Sequence, residues 1–234
     1  MKDKLACAAV FIIFVLGCGN SSSVVQVSSN AIPQNQAVAP EQSNKQTAEE
    51  SSSASEKGQA SPFQPFLIYA DKGTRNNHYI PSGFMPDGKC LSLDDAWMEN
   101  CHGGKSCIKI VYDTDCSKQG KKWAGIYWLN PANNWGGQKG GFNLAGAQKL
   151  TFWARGEKGG ERLEEIKIGG IIGEYPDSDS AVIGPVILTP EWKEYTIDLR
   201  GKDLSSISGG FTWAAKEEVN PQGCTFYLDD IQYE

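Results

Sequence analysis

From about residue 63 onward, the apolar residues of this chain alternate with other residues at a period of two, and this pattern limits the folds open to it. The clearest case spans residues 149–155, where two sets of three side chains alternate: Leu150, Phe152 and Ala154 against Thr151, Trp153 and Arg155. Successive side chains of a β-strand point to opposite faces, so this alternation is typical of a strand with one buried face. Seven further segments have a strand-like pattern: residues 66–71, 106–113, 123–129, 162–169, 193–199, 210–215 and 224–233.

Helical periodicity is nearly absent by comparison. Only residues 91–100, with Asp94 or Asp95 as the cap, would suit a short helix. Gly, Pro, Asn or Asp lies in nearly every gap between the strand-like segments, as tight turns require. Residues 63–234 are enough for one domain with a sizeable core. We therefore predict an all-β domain over residues 63–234, a two-sheet antiparallel β-sandwich of jelly-roll type.

The first 17 residues have the features of an export signal. Lys2 and Lys4 precede an uncharged apolar run, residues 5–16, that is too short to span a bilayer. The letters VLGC at residues 15–18 resemble the bacterial lipobox, in which the cysteine is lipidated and becomes the mature N-terminus. The resemblance implies a lipid anchor at Cys18 and, because Gly19 rather than Asp follows, the outer membrane or surface of a bacterial cell. An ordinary cleaved signal is the alternative.

Residues 18–62 have the composition of a disordered tether. Positions 19–62 contain 11 serines and no aromatic residue. Such a segment cannot bury enough apolar surface to offset the entropy lost on ordering it. We predict a lipid-anchored, Ser/Gln-rich linker between the signal and the sandwich.

The cysteines predict disulfides in an oxidising compartment. Cys7 and Cys18 belong to the signal and the anchor, and five others follow in the folded part: Cys90, Cys101, Cys107, Cys116 and Cys224. Two disulfides and one free thiol are the simplest account. The turn-like gap favours Cys101 with Cys107, and we pair Cys90 with Cys116 and leave Cys224 free and buried. Other pairings stay open, and a zinc site is a weaker rival because no CxxC pair occurs.

Residues 123–141 combine aromatic rings, amides and glycines in one short stretch. The stretch reads WAGIYWLNPANNWGGQKGG and contains Trp123, Trp128 and Trp135 beside Tyr127. Rings can stack on sugar faces, amide side chains can hydrogen-bond hydroxyls, and glycine lets a ligand approach the backbone. Both faces of the 123–129 segment carry rings, so one set must point away from the core. A saccharide-binding surface is the leading interpretation, and burial of these rings in the core is the alternative.

Three segments resemble strands of the galactose-binding-like β-jelly-roll domains, the fold of many non-catalytic carbohydrate-binding modules of bacterial enzymes. They are LTFWARG at residues 150–156, WKEYTIDL at 192–199 and FYLDDI at 226–231. The resemblance covers residues 66–234 and implies this fold and non-catalytic glycan binding, here on a bacterial lipoprotein. Trp192 matches the structural tryptophan of the family and is expected in the core.

The same resemblance implies a structural calcium ion that bridges the first and last strands, as family members often carry. Asp71, just after the first strand, and Asp229 or Asp230, in the last strand, match that pattern. Carboxylates supply the oxygen ligands that calcium prefers. The alternative is that Asp229 and Asp230 are ordinary solvated acids. No motif indicates an organic cofactor.

A large ring on an otherwise polar face predicts a ligand platform. Trp153 shares its strand face with Arg155, and Trp135 lies in a loop beside Asn133 and Asn134. Arg155 could donate hydrogen bonds to vicinal hydroxyls or to a uronate carboxylate. The predicted ligand-binding residues are Trp153, Trp135, Trp128, Tyr127, Asn133, Asn134 and Arg155.

The net charge and the absence of catalytic motifs limit the classes of function that the sequence supports. The folded part carries 18 Lys and Arg against 23 Asp and Glu with no basic run, so nucleic acid is not an expected partner. The chain has two histidines and no GxSxG, HExxH or phosphate-binding loop, which disfavours an enzyme. We predict an exported, lipid-anchored, non-catalytic domain that holds polysaccharide or glycan at the cell envelope. The alternatives are a structural or protein-interaction lipoprotein and, less favoured, a small jelly-roll glycosidase or lyase.

Overall fold

The computed structural model describes residues 62–115 and 121–234, and two antiparallel β-sheets of six strands each form this part of the chain. The described residues contain no α-helix, and none of their segments is a helix that could cross a membrane. The predicted signal peptide, the linker, Cys18 and Cys116 lie outside the described residues, so the predictions for them stay predictions. The all-β two-sheet sandwich expected from the alternation is confirmed.

The strands are numbered in chain order: β1 (Phe66–Tyr69), β2 (Ile80–Met85), β3 (Leu91–Trp97), β4 (Cys107–Tyr112), β5 (Trp123–Leu129), β6 (Lys149–Gly156), β7 (Arg162–Gly169), β8 (Ser180–Ile183), β9 (Val186–Ile187), β10 (Lys193–Asp198), β11 (Gly209–Lys216) and β12 (Cys224–Tyr233). The first sheet has the order β10-β6-β12-β4-β3, and β1 also pairs with β12. The second sheet has the order β2-β5-β11-β7-β8, and β9 also pairs with β7. Neighbours along each sheet are mostly distant in sequence, as in a jelly roll.

All eight strand segments recognised by their alternation are strands. The pattern missed β2, β8 and β9, and the short helix expected at residues 91–100 is wrong because Leu91–Trp97 is strand β3. Leu91 and Leu93 pair with Tyr112 and Ile110 of β4, and burial alternates along the whole strand. Of the two acids that follow Leu93, Asp94 is exposed, whereas Asp95 is half-buried and pairs with Lys72. Both resemble a helix cap in the sequence, although they belong to a strand.

The core lies between the inner faces of the two sheets. The residues predicted to point inward from the 149–155 segment are buried there, together with Ile108, Ile110 and Tyr112 of β4. Aromatic rings from both sheets meet edge to face: Trp213 with Phe226 at 4.8 Å between centroids, and Phe152 with Phe211 at 5.3 Å. Such contacts stabilise a sandwich beyond the area they bury.

One predicted disulfide is present, between Cys101 and Cys107. Cys90 is also disulfide-bonded, but Cys116 lies outside the described residues, so their pairing stays a prediction. Cys224 is free and buried as expected, and burial raises the pKa of its thiol to about 12. A thiol that stays protonated at neutral pH is a poor nucleophile and a poor metal ligand.

The inter-sheet packing predicts a large cost for truncating a central ring. We expect Phe226→Ala to lower the free energy of unfolding by about 3–5 kcal/mol, because a fully buried ring is replaced by a cavity. Urea unfolding followed by tryptophan fluorescence measures this difference. Val182→Ala, at a side chain that is 57% exposed, is the control and should change stability by less than about 0.5 kcal/mol. A similar, small loss in both variants would contradict this account of the core.

Candidate functional site

The rings of the 123–141 stretch separate by strand face. On β5, Ile126 and Trp128 point into the main core, whereas Trp123 and Tyr127 lie on the outer face of the second sheet. Trp128 is 1% exposed and packs edge to face on Phe211 at 5.4 Å. The expectation that Trp128 binds a ligand is therefore wrong, because this indole fills the core of the sandwich.

Tyr127 forms the floor of the outer face. Its cross-strand neighbours are Gly83 on β2 and Thr212 on β11, and Lys167 on β7 follows Thr212. The Tyr127 ring is 5% exposed, and its hydroxyl donates to the carbonyl of Gly169 at 3.1 Å. Tyr127 thus offers a ligand little surface itself, and it supports what lies above it.

Trp135 lies above Tyr127, and its ring is exposed to solvent. Its indole packs edge to face on Tyr127 at 5.7 Å and remains 46% exposed. A Cβ atom at Gly83 would lie 3.0 Å from Cζ2 of this indole and 2.8 Å from Cβ of Tyr127. Glycine at this position therefore allows the indole to lie down on the sheet with one side open to solvent.

The two asparagines of the loop have different roles. Asn134 is 1% exposed; its Nδ2 donates to the carbonyl of Gln138, and its Oδ1 accepts from the backbone N–H of Gly136. The assignment of Asn134 to ligand binding is therefore wrong, because its amide is used to shape the loop. Asn133 is exposed beside Trp135, in the left-handed region at φ 59°, and its backbone N–H donates to the hydroxyl of Ser82.

A second loop, residues 170–177, supports the Trp135 loop. The backbone N–H of Tyr175 donates to the carbonyl of Gly136, and a side chain at Gly136 would collide with the carbonyl of Ile172. Asp177 ties this loop to the sheet by accepting from the backbone N–H groups of Ile171 and Ser208. Burial raises the pKa of Asp177 although these bonds oppose the shift. Trp135 is thus an exposed ring on a hydrogen-bonded support.

Trp123 marks the other end of the same face. It lies four residues before Tyr127 on β5, which places the two residues about 13 Å apart along the strand, and its side chain is 37% exposed. Gly125 lies between them on β5, and the side chain of Met85 on β2 packs over it, because a Cβ at Gly125 would lie 3.0 Å from Cε of Met85. We call this surface the indole face and define it by Trp123, Gly125, Tyr127 and Trp135.

Charged side chains of both signs lie on β7, which is separated from β5 by β11. Lys167 Nζ lies 5.6 Å from the centroid of Tyr127 and 3.9 Å from a carboxylate oxygen of Glu165. A surface with apolar rings, an exposed amide at Asn133 and charges of both signs suits a ligand with apolar faces and hydroxyl edges.

The other predicted platform, Trp153, lies on the outer face of the first sheet. Its indole is stacked on the imidazole of His102, with 3.7 Å between the centroids and 14° between the planes. Nδ1 of His102 is 2.8 Å from Asp230 Oδ2. One face of this indole is therefore covered by another side chain of the same domain, and Trp153 is only partly buried. Trp192, expected in the core, is only partly buried and donates from Nε1 to the carbonyl of Asn100.

Arg155 also lies on the outer face of the first sheet. It is 7% exposed, and its guanidinium lies 3.8 Å from the centroid of Tyr227. Because the outer faces of the two sheets are opposite sides of the sandwich, Arg155 and Trp153 cannot share one site with Trp135. The predicted ligand-binding residues are therefore divided between two opposite faces.

The predicted calcium ligands surround the loop of residues 101–107. Asp71 Oδ1 accepts from the backbone N–H groups of Lys105 and Ser106, and Asp229 Oδ2 accepts from those of His102 and Gly103. These bonds lower the pKa of Asp71.

This arrangement does not fit the predicted calcium ion. Among the described residues, Asp229 and Asp230 form a carboxylate cluster with His102, but Asp71 is not part of it. Calcium takes six to eight oxygen ligands, whereas backbone N–H groups converge on these carboxylates. The loop of residues 101–107 itself joins the end of β1 to β12 through these hydrogen bonds. Cys101 and Cys107 also lie near Asp229, but their sulfurs are oxidised to a disulfide and are not available to zinc.

Comparisons with known proteins identify the fold. No protein-family model and no curated protein matches the chain. A family 11 carbohydrate-binding module from a cellulosomal cellulase of Clostridium thermocellum aligns with a TM-score of 0.50 and 13% identity, over 74% of this chain and 95% of that one. A family 30 module from another cellulosomal cellulase of this organism gives a TM-score of 0.46 and 16% identity, over 73% and 97% of the two chains. The described domain therefore has the β-sandwich jelly-roll fold of carbohydrate-binding modules.

The loop of residues 101–107, which Asp71 and Asp229 hold, generates a prediction about stability. A Cβ at Gly104, where φ is +55°, would collide with the Asp71 carboxylate, whereas Gly73, at φ +79°, has nothing within 4 Å. Both Gly→Ala variants pay the cost of a strained backbone, about 1 kcal/mol. Only Gly104→Ala should also displace the loop, so we expect it to lower the free energy of unfolding by about 1–3 kcal/mol more than Gly73→Ala. Equal losses in urea unfolding would contradict the loop contact.

Asp229 generates a prediction for pH dependence. Burial, with a smaller contribution from the charge of Asp230, raises the pKa of Asp229 to about 6 although the backbone N–H groups of Gly103 and His102 oppose the shift. Between about pH 4 and 6, Asp229 is therefore protonated in the folded state and ionised in the unfolded state. Because the folded state binds the extra proton, the contribution of Asp229 to the free energy of unfolding falls as pH rises through that window.

Asp229→Asn removes this titration. We expect the unfolding free energy of the wild type, minus that of the variant, to decrease from about pH 4 to 6 and to be level above that window. Urea unfolding of both proteins at each pH measures the difference. A difference that is constant, or that increases with pH, would show that Asp229 is not the titrating group.

Proposed function

We propose that this chain binds a glycan through the indole face and catalyses no reaction there. The observation that carries the proposal is the half-exposed indole of Trp135, which lies on Tyr127 and is supported by two hydrogen-bonded loops. Exposed apolar side chains that cluster on one face, as Trp135 and Trp123 do, mark interaction sites. The rigid support of Trp135 means that little entropy is lost when a ligand stacks on it.

Sugar rings are chemically suited to this face. A pyranose has an apolar C–H face, which stacks on an indole, and equatorial hydroxyls, which need donors and acceptors around the ring. Trp135 and Trp123 supply two exposed rings, with the half-buried side chain of Met85 over Gly125 between them. Asn133 and the Lys167–Glu165 pair supply polar groups near the rings. A single glycan chain could contact both indoles along β5.

Other features support export and anchoring. We propose that the chain is an exported lipoprotein, anchored through Cys18 to a bacterial envelope and held away from the membrane by the linker of residues 18–62. The disulfide between Cys101 and Cys107 supports an oxidising compartment. Calcium is not part of this proposal, because the loop of residues 101–107 already joins β1 to β12.

The non-catalytic assignment rests on the chemistry of the face. Glycoside hydrolysis needs two carboxylates about 5–10 Å apart that flank the scissile bond. Two acids lie near Tyr127. Glu165 is half exposed and lies beside Lys167, and the Asp177 carboxylate is engaged by the backbone N–H groups of Ile171 and Ser208. The fold neighbours are described as carbohydrate-binding modules, and one family 11 module from Clostridium thermocellum is described in complex with a mixed-linked β-1,3-1,4 tetrasaccharide. The fold likeness supports the class of function and leaves the saccharide to experiment.

A protein-binding role is the second candidate. Ile172, Val182 and Ile187 are 57–80% exposed on the second sheet and its loops. Exposed aliphatic side chains near an indole also suit a protein partner. An envelope protein rather than a glycan would then cover the indole face.

Substitution of single indoles tests the proposal. We expect Trp135→Ala to weaken glycan binding at least about tenfold, because truncation of a central aromatic anchor costs about 1–2 kcal/mol or more. Trp153→Ala, on the opposite side of the sandwich, should bind as the wild type does. Affinity electrophoresis in gels that contain β-glucan, xylan or glucomannan measures both. Thermal unfolding of each variant checks that the fold is retained.

The outcomes separate the candidates. Retardation of the wild type that Trp135→Ala loses and Trp153→Ala retains supports the indole face. Retardation lost only in Trp153→Ala would assign the site to the first sheet. No retardation by any of the three polysaccharides would count against glycan binding and favour the protein-binding role.

A further inference from the structure

The outer face of the first sheet carries a second constellation that glycan binding at the indole face does not use. In register across three neighbouring strands lie Lys109 on β4, Tyr227 on β12 and Arg155 on β6. Trp97 of β3 flanks Lys109, and Trp192, just before β10, flanks Arg155. Rings and cations therefore alternate in a line, which we call the cation–ring row: Trp97, Lys109, Tyr227, Arg155 and Trp192.

Both cations are stacked on rings. Lys109 Nζ lies 3.7 Å from the centroid of Trp97 and 5.9 Å from that of Tyr227. The Arg155 guanidinium lies 3.8 Å from the centroid of Tyr227 and 5.5 Å from that of Trp192. Such stacking positions the charges and restricts their motion, but it leaves their N–H donors free for an oxyanion.

Neither cation has an anionic partner in the part of the chain that the structure describes. Neither side chain has a carboxylate oxygen within ion-pair distance there. Arg155 is more than nine-tenths buried, its Nε has no hydrogen-bond partner, and its Nη1 makes one long bond, 3.4 Å, to the carbonyl of Gly156. A buried cation without an anionic partner is costly, and the partners of Arg155 are neutral groups, the side chain of Tyr227 and the carbonyl of Gly156.

The row lines a groove that also contains two acidic side chains, Glu99 and Glu157. The groove is bounded by Trp97, Glu99, Asn100, Lys109, Arg155, Glu157 and Tyr227. Glu157 Oε2 accepts the hydroxyl proton of Tyr227, and the carbonyls of Glu99 and Asn100 accept from the indole N–H groups of Trp97 and Trp192. Asp94 lies opposite Lys109 in register, and its Oδ1 accepts from the backbone N–H of Ala96.

We propose that this groove is a second binding site, for an anionic saccharide that carries a carboxylate or sulfate group. Arg155 and Lys109 donate to the oxyanion, and the half-buried indole of Trp97 contacts the sugar that bears it. The rings make a saccharide a better fit than a free inorganic anion, which would gain nothing from them. The site lies on the side of the sandwich opposite to the indole face, so its occupancy does not depend on Trp135.

The test measures binding of three probes to the full-length protein by calorimetry. The probes are trigalacturonate, which carries carboxylates, dextran sulfate, which carries sulfate esters, and unmodified dextran as the uncharged control. We expect binding of at least one anionic probe, and its affinity to be about tenfold weaker in Lys109→Gln and in Arg155→Gln, since one charge-assisted hydrogen bond is lost in each. The stronger anionic probe identifies which group the site takes.

Two variants serve as controls. Lys89→Gln removes one exposed lysine outside the groove, at a contact 3.8 Å from Asp87, and should change the affinity less than about twofold. Trp135→Ala should leave binding of the anionic probe unchanged, even where it abolishes binding of a neutral glycan. The measurement therefore distinguishes failure of the groove from failure of the indole face. Because Arg155 is buried, thermal unfolding accompanies each measurement, and Lys109→Gln, at a half-buried side chain, tests the groove if Arg155→Gln does not fold.

Three results would overturn the proposal. The first is that neither anionic probe binds. The second is that Lys109→Gln binds the anionic probe as the wild type does. The third is an equal loss in Lys109→Gln and Lys89→Gln, which would indicate attraction to net charge rather than to the groove.

Discussion

The structure depends on one constraint: each of its two sheets must bury one face against the other. Because side chains alternate along a strand, this burial removes every second residue from the surface and presents the remaining residues outward. The core takes Trp128, Trp213 and the rings that meet them, and it leaves Trp123 and Tyr127 on the opposite face of their strand. Any site on the sheets must therefore be built from the outward set, and each sheet contributes its own.

The two outward faces have different chemistry because different loops pack over them. Over the second sheet, hydrogen-bonded loops place Trp135 on Tyr127 and leave its indole half exposed, and Gly83 provides the space. Over the first sheet, the disulfide-closed loop of residues 101–107 stacks His102 on one face of the Trp153 indole. The Trp135 ring can therefore receive a ligand, whereas the Trp153 ring already packs against another side chain of the domain. Loop packing, rather than ring type, decides which tryptophan can bind.

Much of the fold could be predicted from the sequence, because period two is a local signal. The strands with strong alternation and their inward residues are where the pattern placed them. The sequence of β3 suggests a short helix because Asp94 and Asp95 resemble a cap, and β9 has only two residues, too few to show a period. The choice between Trp128 and Tyr127 was beyond the sequence, since rings occupy both faces of β5. The positions of Arg155 and Trp153 on the opposite sheet depend on topology, which a single sequence does not encode locally.

The central claim is that a glycan contacts the exposed indoles of the second sheet. The most direct measurement is a titration of the ¹⁵N-labelled protein with oligosaccharides from β-glucan, xylan or glucomannan, in which the tryptophan indole N–H signals are followed by NMR. The account predicts that the signals of Trp135 and Trp123 shift in a saturable way, while those of the buried Trp128 and Trp213 stay in place. Shifts confined to Trp97, Trp153 and Trp192, or no shift with any of these saccharides, would contradict it.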